Sequence, residues 1–155
     1  MERPTHSPRR ARMRDAPAIS ALVEAAYAHY PARVGRRPAP MDADPRTEID
    51  ANEVWVISGA GALEAVMVLR HAGDHLFVDN LAVAPQSQGS GHGTALLIHA
   101  EARAASFGLA ELRLLTHELM IENRAFYERR GWESTPPPSG ESMARVYFRR
   151  RIRAE

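Results

Sequence analysis

Residues 76–97 read LFVDNLAVAPQSQGSGHGTALL and decide the fold, because they join a strand to a long helix through a glycine-rich loop. Leu76–Val83 is apolar and β-rich, and Pro85 ends the strand since it has no N–H to donate. A helical pattern begins at Gly91 or Gly93 and runs to Phe107. Glycines let the main chain approach a ligand, and helix N-termini attract anions. The segment therefore predicts a diphosphate site.

Two well-known phosphate loops fit these residues poorly. A P-loop requires Gly-Lys-Ser/Thr, whereas all 20 basic residues of this chain are Arg. The dinucleotide fingerprint requires a third glycine where Thr94 stands, and an acidic residue about 20 residues later. Glu111 is near that distance, but the strands before the loop form a meander instead of opening a βαβ unit.

The remaining patterns predict an α/β domain on a mixed sheet. We expect a disordered tail over residues 1–9 and a single domain over residues 10–155. The predicted strands are Ala11–Arg14, Val54–Ile57, Leu63–Leu69, Leu76–Val83, Leu112–Leu115 and Arg145–Ile152. The predicted helices are a first one capped by Asp15 and ending before Pro31, a short one from Pro45 to Ala51, the helix ending at Phe107, and Asn123–Arg130. Loops are expected over Pro31–Pro45 and Pro136–Gly140.

Composition excludes several kinds of chemistry. The 155 residues carry a formal net charge of +1 and contain no Cys, which excludes disulfides, thiolate metal sites and Cys nucleophiles. The absence of Lys excludes Schiff-base chemistry. No apolar run approaches the ~20 residues of a membrane span. We expect a cytoplasmic protein with no membrane or nucleic-acid partner; the Arg149–Arg153 cluster is interpreted as a solvated edge strand.

Two segments resemble the GNAT superfamily of acyl-CoA-dependent N-acyltransferases. The family signature Gln/Arg-x-x-Gly-x-Gly/Ala is matched by Gln88–Gly93, and the match extends over Asp79–Leu97. Residues Asn123–Trp132, NRAFYERRGW, are similar to the family's Tyr-x-x-x-Gly-aromatic segment. The resemblance implies an α+β fold with a mixed, mostly antiparallel sheet of six to seven strands, about four flanking helices, and a splayed strand pair that forms the CoA cleft.

The resemblance also implies acetyl-CoA as cosubstrate, without a metal. A bulge near Leu81–Val83 would splay that strand from the fifth one, and the freed main-chain groups would bind the pantetheine arm. A main-chain N–H near Leu81 would polarise the thioester carbonyl. Asn123 either replaces a family Asn whose usual place is held by Met120, or caps its helix. The implied cofactor-binding residues are Leu81, Ala82, Val83, Gln88, Gly89, Ser90, Gly91, His92, Gly93, Thr94 and Asn123.

Tyr127 and Asp79 are the predicted catalytic residues. The family places a Tyr at the position of Tyr127 to protonate the departing thiolate; the alternative is a Tyr packed in the core. Under strict alternation Asp79 shares a face with Leu81, so it could accept the proton of the amine. His117 and Glu118 are alternatives, and solvent could take the proton without any dedicated base.

The acceptor is predicted to lie under the first helix and the proline-rich loop. In the family these elements roof the acceptor cleft, which implies Tyr27, Tyr30 and Met41 as substrate-binding residues. Arg36 and Arg37 either bind an anionic group of the acceptor or are solvated loop residues. We expect transfer of an acetyl group to a primary amine, on a small molecule or a peptide, by direct attack in a ternary complex. The alternatives are an inactive CoA-binding regulatory module and, less well matched, a nucleotide-binding module; a homodimer is possible.

Overall fold

Seven strands form one sheet in the order β1-β2-β3-β4-β5-β7-β6. The computed structural model describes residues 7–136 and 144–152. All neighbouring strands are antiparallel except β4 and β5, which are parallel. The predicted mixed, mostly antiparallel sheet is thus confirmed. The strands are β1 Arg9–Arg10, β2 Glu53–Ser58, β3 Leu63–His71, β4 Leu76–Val83, β5 Glu111–His117, β6 Glu133–Thr135 and β7 Arg145–Arg151.

The described residues form six α-helices, two more than the sequence predicts. The additional pair, α2 and α3, lies largely within the segment expected to be a loop. The longest helix, α5, follows the glycine loop as predicted. The helices are α1 Ala16–Ala26, α2 Tyr30–Val34, α3 Ala39–Asp42, α4 Pro45–Ala51, α5 His92–Ser106 and α6 Ile121–Arg129.

The first helix ends earlier than predicted because of Pro31. A proline has no N–H for a continuous helix and favours the first turn of a new one. The chain leaves α1 after Ala26, and α2 begins at Tyr30 with Pro31 in its first turn. Tyr27 and Tyr30 nevertheless remain buried on the predicted apolar face.

The two ends of the chain differ from the sequence predictions. The first strand is Arg9–Arg10, paired with β2, and a 3₁₀ turn over Met13–Asp15 replaces the predicted strand. Arg9 therefore belongs to the sheet and not to a tail, while residues 1–6 lie outside the described residues. The predicted loop after Pro136 also lies outside them.

The helices divide the core into two clusters, one on each face of the sheet. One cluster packs α5 and α6 against β3, β4, β5 and β7, with Phe148 and Leu96 among its fully buried members. The other packs α1 against the opposite face of β2, β3 and β4, through residues such as Ile19 and Val66. The site described below lies where β4 faces both clusters.

An extra residue in β4 changes which face its side chains occupy. Val68 pairs with Asn80 and Leu69 pairs with Val78, so Asp79 is a β-bulge without a partner in β3. Leu81 consequently packs with Val78 against the α5 cluster. The alternation that placed Asp79 and Leu81 on one face is wrong, and the bulge lies at Asp79, two residues before the position implied by the family resemblance.

Glu53, the first residue of β2, has a buried carboxylate that connects this end of the strand to Arg103 of α5. Glu53 is 5% exposed and accepts hydrogen bonds from Arg103 at 2.8 and 3.0 Å, from Trp55 at 3.0 Å and from His71 at 3.0 Å. Burial by itself raises the pKa of Glu53, but the hydrogen bonds from Arg103, His71 and Trp55 outweigh it and lower the pKa to about 2.

We expect Glu53 to make stability depend on pH below its ordinary pKa near 4.5. Because the folded pKa is depressed, its stabilisation is complete above pH 4.5 and is lost as pH falls towards 2. Glu53→Gln should lower the free energy of unfolding at pH 6 by about 1–3 kcal/mol, since it removes the buried carboxylate that pairs with the half-buried Arg103 guanidinium. Urea titrations at pH 6, 4 and 2.5 measure both effects, with the exposed Glu128→Gln as control. An equal loss on acidification in wild type and Glu53→Gln would contradict this role.

Candidate active site

Strands β4 and β5 separate next to the glycine loop. They pair only through Leu76–Val78 and Leu112–Leu114, and β4 continues to Val83 without β5. The Ala84 N–H bonds the Glu64 carbonyl of β3 at 2.8 Å. Since N–H groups alternate in direction along a strand, those of Val83 and Leu81 point away from β3 into the gap. The main chain of β4 thus offers donors to an extended ligand, as the predicted pantetheine site requires.

A cavity of about 560 Å³ extends from this gap to the start of α5. Most of the predicted cofactor-binding residues line it, which confirms that the fold brings them together: Leu81, Ala82, Val83, Gln88, Gly89, Gly91, His92, Gly93, Thr94 and Asn123. Ser90 is not part of the lining, and its hydroxyl donates to the Ser87 carbonyl.

The three glycines of the loop have different physical roles. Gly89 and Gly91 adopt left-handed backbone with φ of +85° and +87°, which a residue with a Cβ rarely tolerates. Gly93 is ordinary helix, but a Cβ there would lie 3.0 Å from the Phe126 ring. The sequence assigned all three to close approach of a ligand; the structure shows that Gly93 makes room for α6.

His92 anchors the start of α5 to the sheet. Its ring is 3% exposed, and Nε2 lies 2.9 Å from the Glu64 carboxylate in β3. The space for that carboxylate exists because Gly59 has no side chain, since a Cβ there would collide with it. The His92 side chain therefore positions the loop, whereas its main chain remains at the helix N-terminus.

Tyr127 lines both the cavity of about 560 Å³ described above, called the cofactor-side cavity after its predicted ligand, and a second cavity. Its ring packs against Phe126, Trp132 and Phe148 with centroid distances of 5.3–5.8 Å. Burial, together with the neighbouring Tyr30, raises the pKa of Tyr127 above its usual value, so the hydroxyl stays protonated at neutral pH. No group in the described parts of the chain hydrogen-bonds that hydroxyl. Tyr127 is thus both a core residue and an available proton donor.

Two further tyrosines hold the surroundings of Tyr127. The Tyr27 hydroxyl donates to Asn80 Oδ1 at 2.9 Å and to the Leu81 carbonyl at 3.3 Å, which fixes β4 just beyond the bulge. The Tyr30 hydroxyl lies 3.5 Å from Asn123 Oδ1. Burial raises the pKa of both tyrosines.

The second cavity, of about 520 Å³, is lined by Phe77–Leu81 of β4 and by part of the loop predicted to cover the acceptor, and it is called the acceptor cavity after that prediction. It shares Tyr27, Leu81, Asn123 and Tyr127 with the first cavity, so the two cavities meet at these residues. Asp79 lines the second cavity, and its carboxylate accepts from Arg70 Nε at 3.0 Å.

The other predicted site residues are dispersed. Tyr30 lines the cofactor-side cavity only. Met41 lines a smaller cavity of about 100 Å³, which adjoins the acceptor cavity because Pro40, Asp79 and Asn80 line both. His117 lines the acceptor side, whereas Glu118 does not. Asn123 is the third residue of α6 rather than its cap, which is Met120.

The two loop arginines also differ. Arg37 is held by Glu24 and Asp42 at 2.8–3.2 Å, so its charge is already balanced. Arg36 is exposed and lines the acceptor cavity.

Sequence reasoning missed Phe126 and Arg130, which both line the cofactor-side cavity. Arg130 Nε donates to Thr94 Oγ1 at 2.8 Å, and its guanidinium stacks on Phe126 at 3.6 Å from the ring centroid. A cation directly before Gly131 in the second motif was the available signal, but only the fold brings it beside α5.

Neither a metal cluster nor a membrane helix is found in the described part of the chain. No group of three or more His, Cys, Asp or Glu side chains within residues 7–136 and 144–152 is arranged to hold a metal ion. The helices described there also lack the length and apolar character that a membrane crossing requires.

A comparison with protein families finds one family model that matches the segment containing the glycine loop. A family model described as an acetyltransferase (GNAT) domain matches residues 50–134, from α4 to β6, which is more than half of the chain. This chain belongs to the GNAT acetyltransferase family. The predicted family is therefore confirmed, and with it the assignment of the protein to the transferases. A comparison with curated proteins gave no match.

Solved structures share the GNAT fold over nearly the whole chain. The PaiA N-acetyltransferase from Thermoplasma acidophilum, in complex with coenzyme A, superposes with a TM-score of 0.79 at 14% identity, covering 94% of this chain and 98% of that one. The ribosomal-protein-S18-alanine N-acetyltransferase from Escherichia coli gives 0.74 at 19% identity, with 94% and 93% covered. N-acetylglutamate synthase from Neisseria gonorrhoeae, complexed with coenzyme A and N-acetyl-glutamate, gives 0.73 at 22% identity; this chain covers only 35% of it. At these identities the likeness establishes the fold.

The contact between Gly93 and Phe126 gives a direct test of the loop packing. Alanine favours helix over glycine by about 1 kcal/mol, but Phe126 is held by Arg130 and cannot move away freely. We expect Gly93→Ala to lower the free energy of unfolding by about 1 kcal/mol. In a Phe126→Leu background the same change should be neutral or stabilising. Chemical denaturation of wild type, the two single variants and the double variant measures the coupling between Gly93→Ala and Phe126→Leu. Equal effects of Gly93→Ala in both backgrounds would contradict the proposed packing.

Proposed function

We propose that this protein transfers an acetyl group from acetyl-CoA to the primary amine of a small molecule or a peptide. The observation that carries the proposal is the position of Tyr127, a buried and protonated hydroxyl where a cofactor-side and an acceptor-side cavity meet. Family membership supports acyl transfer in general. The neighbours named as N-acetyltransferases favour an amine acceptor.

The residues present fit acyl-CoA. Gly89 and Gly91 have left-handed backbone, the kind of conformation with which successive N–H groups can form an anion-binding concavity, and they precede α5, whose N-terminal dipole favours a diphosphate. The N–H groups of Leu81 and Val83 would hold the pantetheine arm as a strand would. When bound, acetyl-CoA supplies an activated acyl group as a thioester.

The protein would promote the transfer by holding charge and moving protons. The Leu81 N–H would donate to the thioester carbonyl as negative charge develops on its oxygen. The amine nitrogen forms a bond to the carbonyl carbon while the carbon–sulfur bond breaks, and the Tyr127 hydroxyl gives its proton to the sulfur. Because the chain has no Cys, attack by the amine within a ternary complex is favoured over an acyl-Cys route.

Asp79 is the proposed acceptor of the amine proton, directly or through water. Asp79 lines the acceptor cavity, and its ion pair with Arg70 at 3.0 Å orients the carboxylate. His117 lines the same cavity, but its Nδ1 already accepts the Leu119 N–H at 3.1 Å. We therefore assign proton acceptance to Asp79.

The function is tested by incubating the purified protein with acetyl-CoA and a panel of amines and by measuring the release of free thiol. Amine-dependent thiol release and an acetylated amine in mass spectra are expected. Tight binding of CoA without amine-dependent turnover would favour the alternative of a regulatory CoA-binding module. Absence of both binding and turnover would overturn the proposal.

Tyr127→Phe separates proton transfer from binding. We expect kcat to fall by about 10²–10⁴-fold, the usual value of a general acid, because the phenyl ring keeps the packing but has no proton to give. The Kd for CoA from calorimetry should stay within about twofold. An unchanged kcat would show that Tyr127 serves only the core.

The raised pKa of Tyr127 predicts the shape of the pH profile. Since Tyr127 stays protonated beyond its ordinary pKa of about 10, kcat/KM should rise as the amine loses its proton and should not fall up to pH 10. Initial rates from pH 6 to 10, corrected for uncatalysed thioester hydrolysis, measure this. A descending limb below pH 10 that is absent in Tyr127→Phe would contradict the raised pKa.

A further inference from the structure

The wall of the acceptor cavity contains more basic than acidic side chains. Its two carboxylates, those of Asp42 and Asp79, are each held by an arginine. Arg37 donates to Asp42 at 2.8 Å, and Arg70 donates to Asp79 at 3.0 Å. Apart from Arg37, the basic side chains of the wall are Arg36, His117 and Arg145.

Arg36 lies on a fixed segment of main chain, but its own side chain makes no ion pair. Gly35 before it ends α2 in a left-handed conformation with φ of +87°. Arg37 after it is bonded to α1 and α3 through two carboxylates. No carboxylate among the described residues pairs with Arg36, which is exposed and lines the cavity. Its guanidinium donors are therefore available to a ligand in the cavity.

His117 adds a hydrogen-bond donor to the same wall. Its Nδ1 accepts the Leu119 N–H at 3.1 Å, so the neutral ring carries its proton on Nε2. Arg145 is directly opposite His117 in the pairing of β5 with β7. Directly opposite residues share a face of the sheet, with Cβ atoms about 5 Å apart. Both residues line the cavity, which thus has an imidazole N–H beside a guanidinium.

Arg36 lies on the same side of the cavity as His117. An ion pair between Arg33 and Glu122 joins the end of α2 to the start of α6, and Arg36 follows α2 by two residues. The strand β5 ends at His117, four residues before α6 begins. The end of α2 and the end of β5 therefore meet at α6. We call this group the basic side of the cavity: Arg36, His117 and Arg145.

The carboxylate of Asp79 is separated from the basic side along the sheet. The β4–β5 ladder ends at the pair Val78 and Leu114. Asp79 is one residue beyond this pair in β4, and His117 is three residues beyond it in β5. With about 3.3 Å per residue and about 4.8 Å between strands, the two main chains are about 8 Å apart. The wall is thus complementary to a ligand with an amine at one end and an anion at the other.

We propose that the acceptor is a primary amine that also carries an anionic group, a carboxylate or a phosphate, which binds at the basic side of the cavity. The assignment rests on the acyl transfer proposed above and narrows its acceptor. The amine of such a molecule lies towards Asp79, the proposed proton acceptor. A guanidinium fork binds two oxygens of either anion at once, and the His117 N–H donates to another. A neutral amine leaves these donors to water, and a second cation in place of the anion is repelled.

Matched acceptors test the anion site through kcat/KM, corrected for the fraction of free amine. Glycine, β-alanine and γ-aminobutyrate, each beside its amide, vary the distance between amine and carboxylate, and phosphoethanolamine beside ethanolamine tests a phosphate. At least one anionic acceptor should exceed its neutral partner by about 10-fold. Neutral amines that match or exceed every anionic partner would overturn the anion site and leave acyl transfer standing. No turnover with any amine would overturn the proposed function itself.

Arg36→Gln tests the contribution of that guanidinium, and its exposed position should leave the fold intact. The ratio of kcat/KM for the anionic acceptor to that for its neutral partner should fall about fivefold or more, and Arg36→Lys should give an intermediate ratio. His117→Phe, which lacks the Nε2 donor, should lower the same ratio. Arg46→Gln makes the same charge change at an exposed residue of α4 outside this cavity, and it should keep the wild-type ratio. An unchanged ratio in Arg36→Gln, or an equal fall in Arg46→Gln, would contradict the role of Arg36; an unchanged ratio in His117→Phe would remove His117 from the site.

Discussion

The geometry of the site depends on a β-bulge, one extra residue in β4 relative to β3. Asp79 has no partner in β3, and from that point the strand presents Leu81 instead of Asn80 to the α5 side of the sheet. In the same region β4 and β5 cease to pair: the ladder ends at Val78 and Leu114, although β4 continues to Val83 and β5 to His117. A regular sheet would have consumed the main-chain donors of Leu81 in a ladder. The bulge and the gap together leave those donors free, and the rest of the site is built around them.

Three buried tyrosines surround this gap and fix its walls by hydrogen bonds and ring packing. Tyr27 fixes the carbonyl of Leu81, Tyr30 reaches Asn123, and Tyr127 stands where the two cavities meet. Burial raises the pKa of all three, so each remains a hydrogen-bond donor across the physiological range. A thiolate leaving in the same environment would also be poorly solvated, which raises its own basicity and favours proton transfer from a weakly acidic phenol.

The chain has no Lys, and its arginines act as planar clamps. Arg103 joins α5 to β2 through Glu53, and Arg70 holds Asp79 at the bulge. Arg130 is different, because its acceptors are a hydroxyl and a carbonyl, and it retains free donors towards the cofactor-side cavity. Arginine suits all three tasks since its fork holds two acceptors at once, whereas a lysine ammonium is a point charge.

The sequence by itself determined the features that depend on residues close to one another along the chain. The glycine loop, the helix after it and the strands of the meander follow from short-range periodicity and turn chemistry. The resemblance of Gln88–Gly93 and Asn123–Trp132 to family motifs then predicted the family and most residues around the cofactor-side cavity. Two adjacent polar residues, Asp79 and Asn80, interrupt the apolar alternation of β4, but only the register with β3 shows that Asp79 is the extra residue and that Leu81 faces α5. The tertiary structure also decided that Gly93 yields space to Phe126, that Met41 lines a small cavity adjoining the acceptor cavity, and that Arg130 reaches Thr94 across 36 positions. Such contacts arise from the packing of α6 on α5, which depends on shapes and distances that no local pattern encodes.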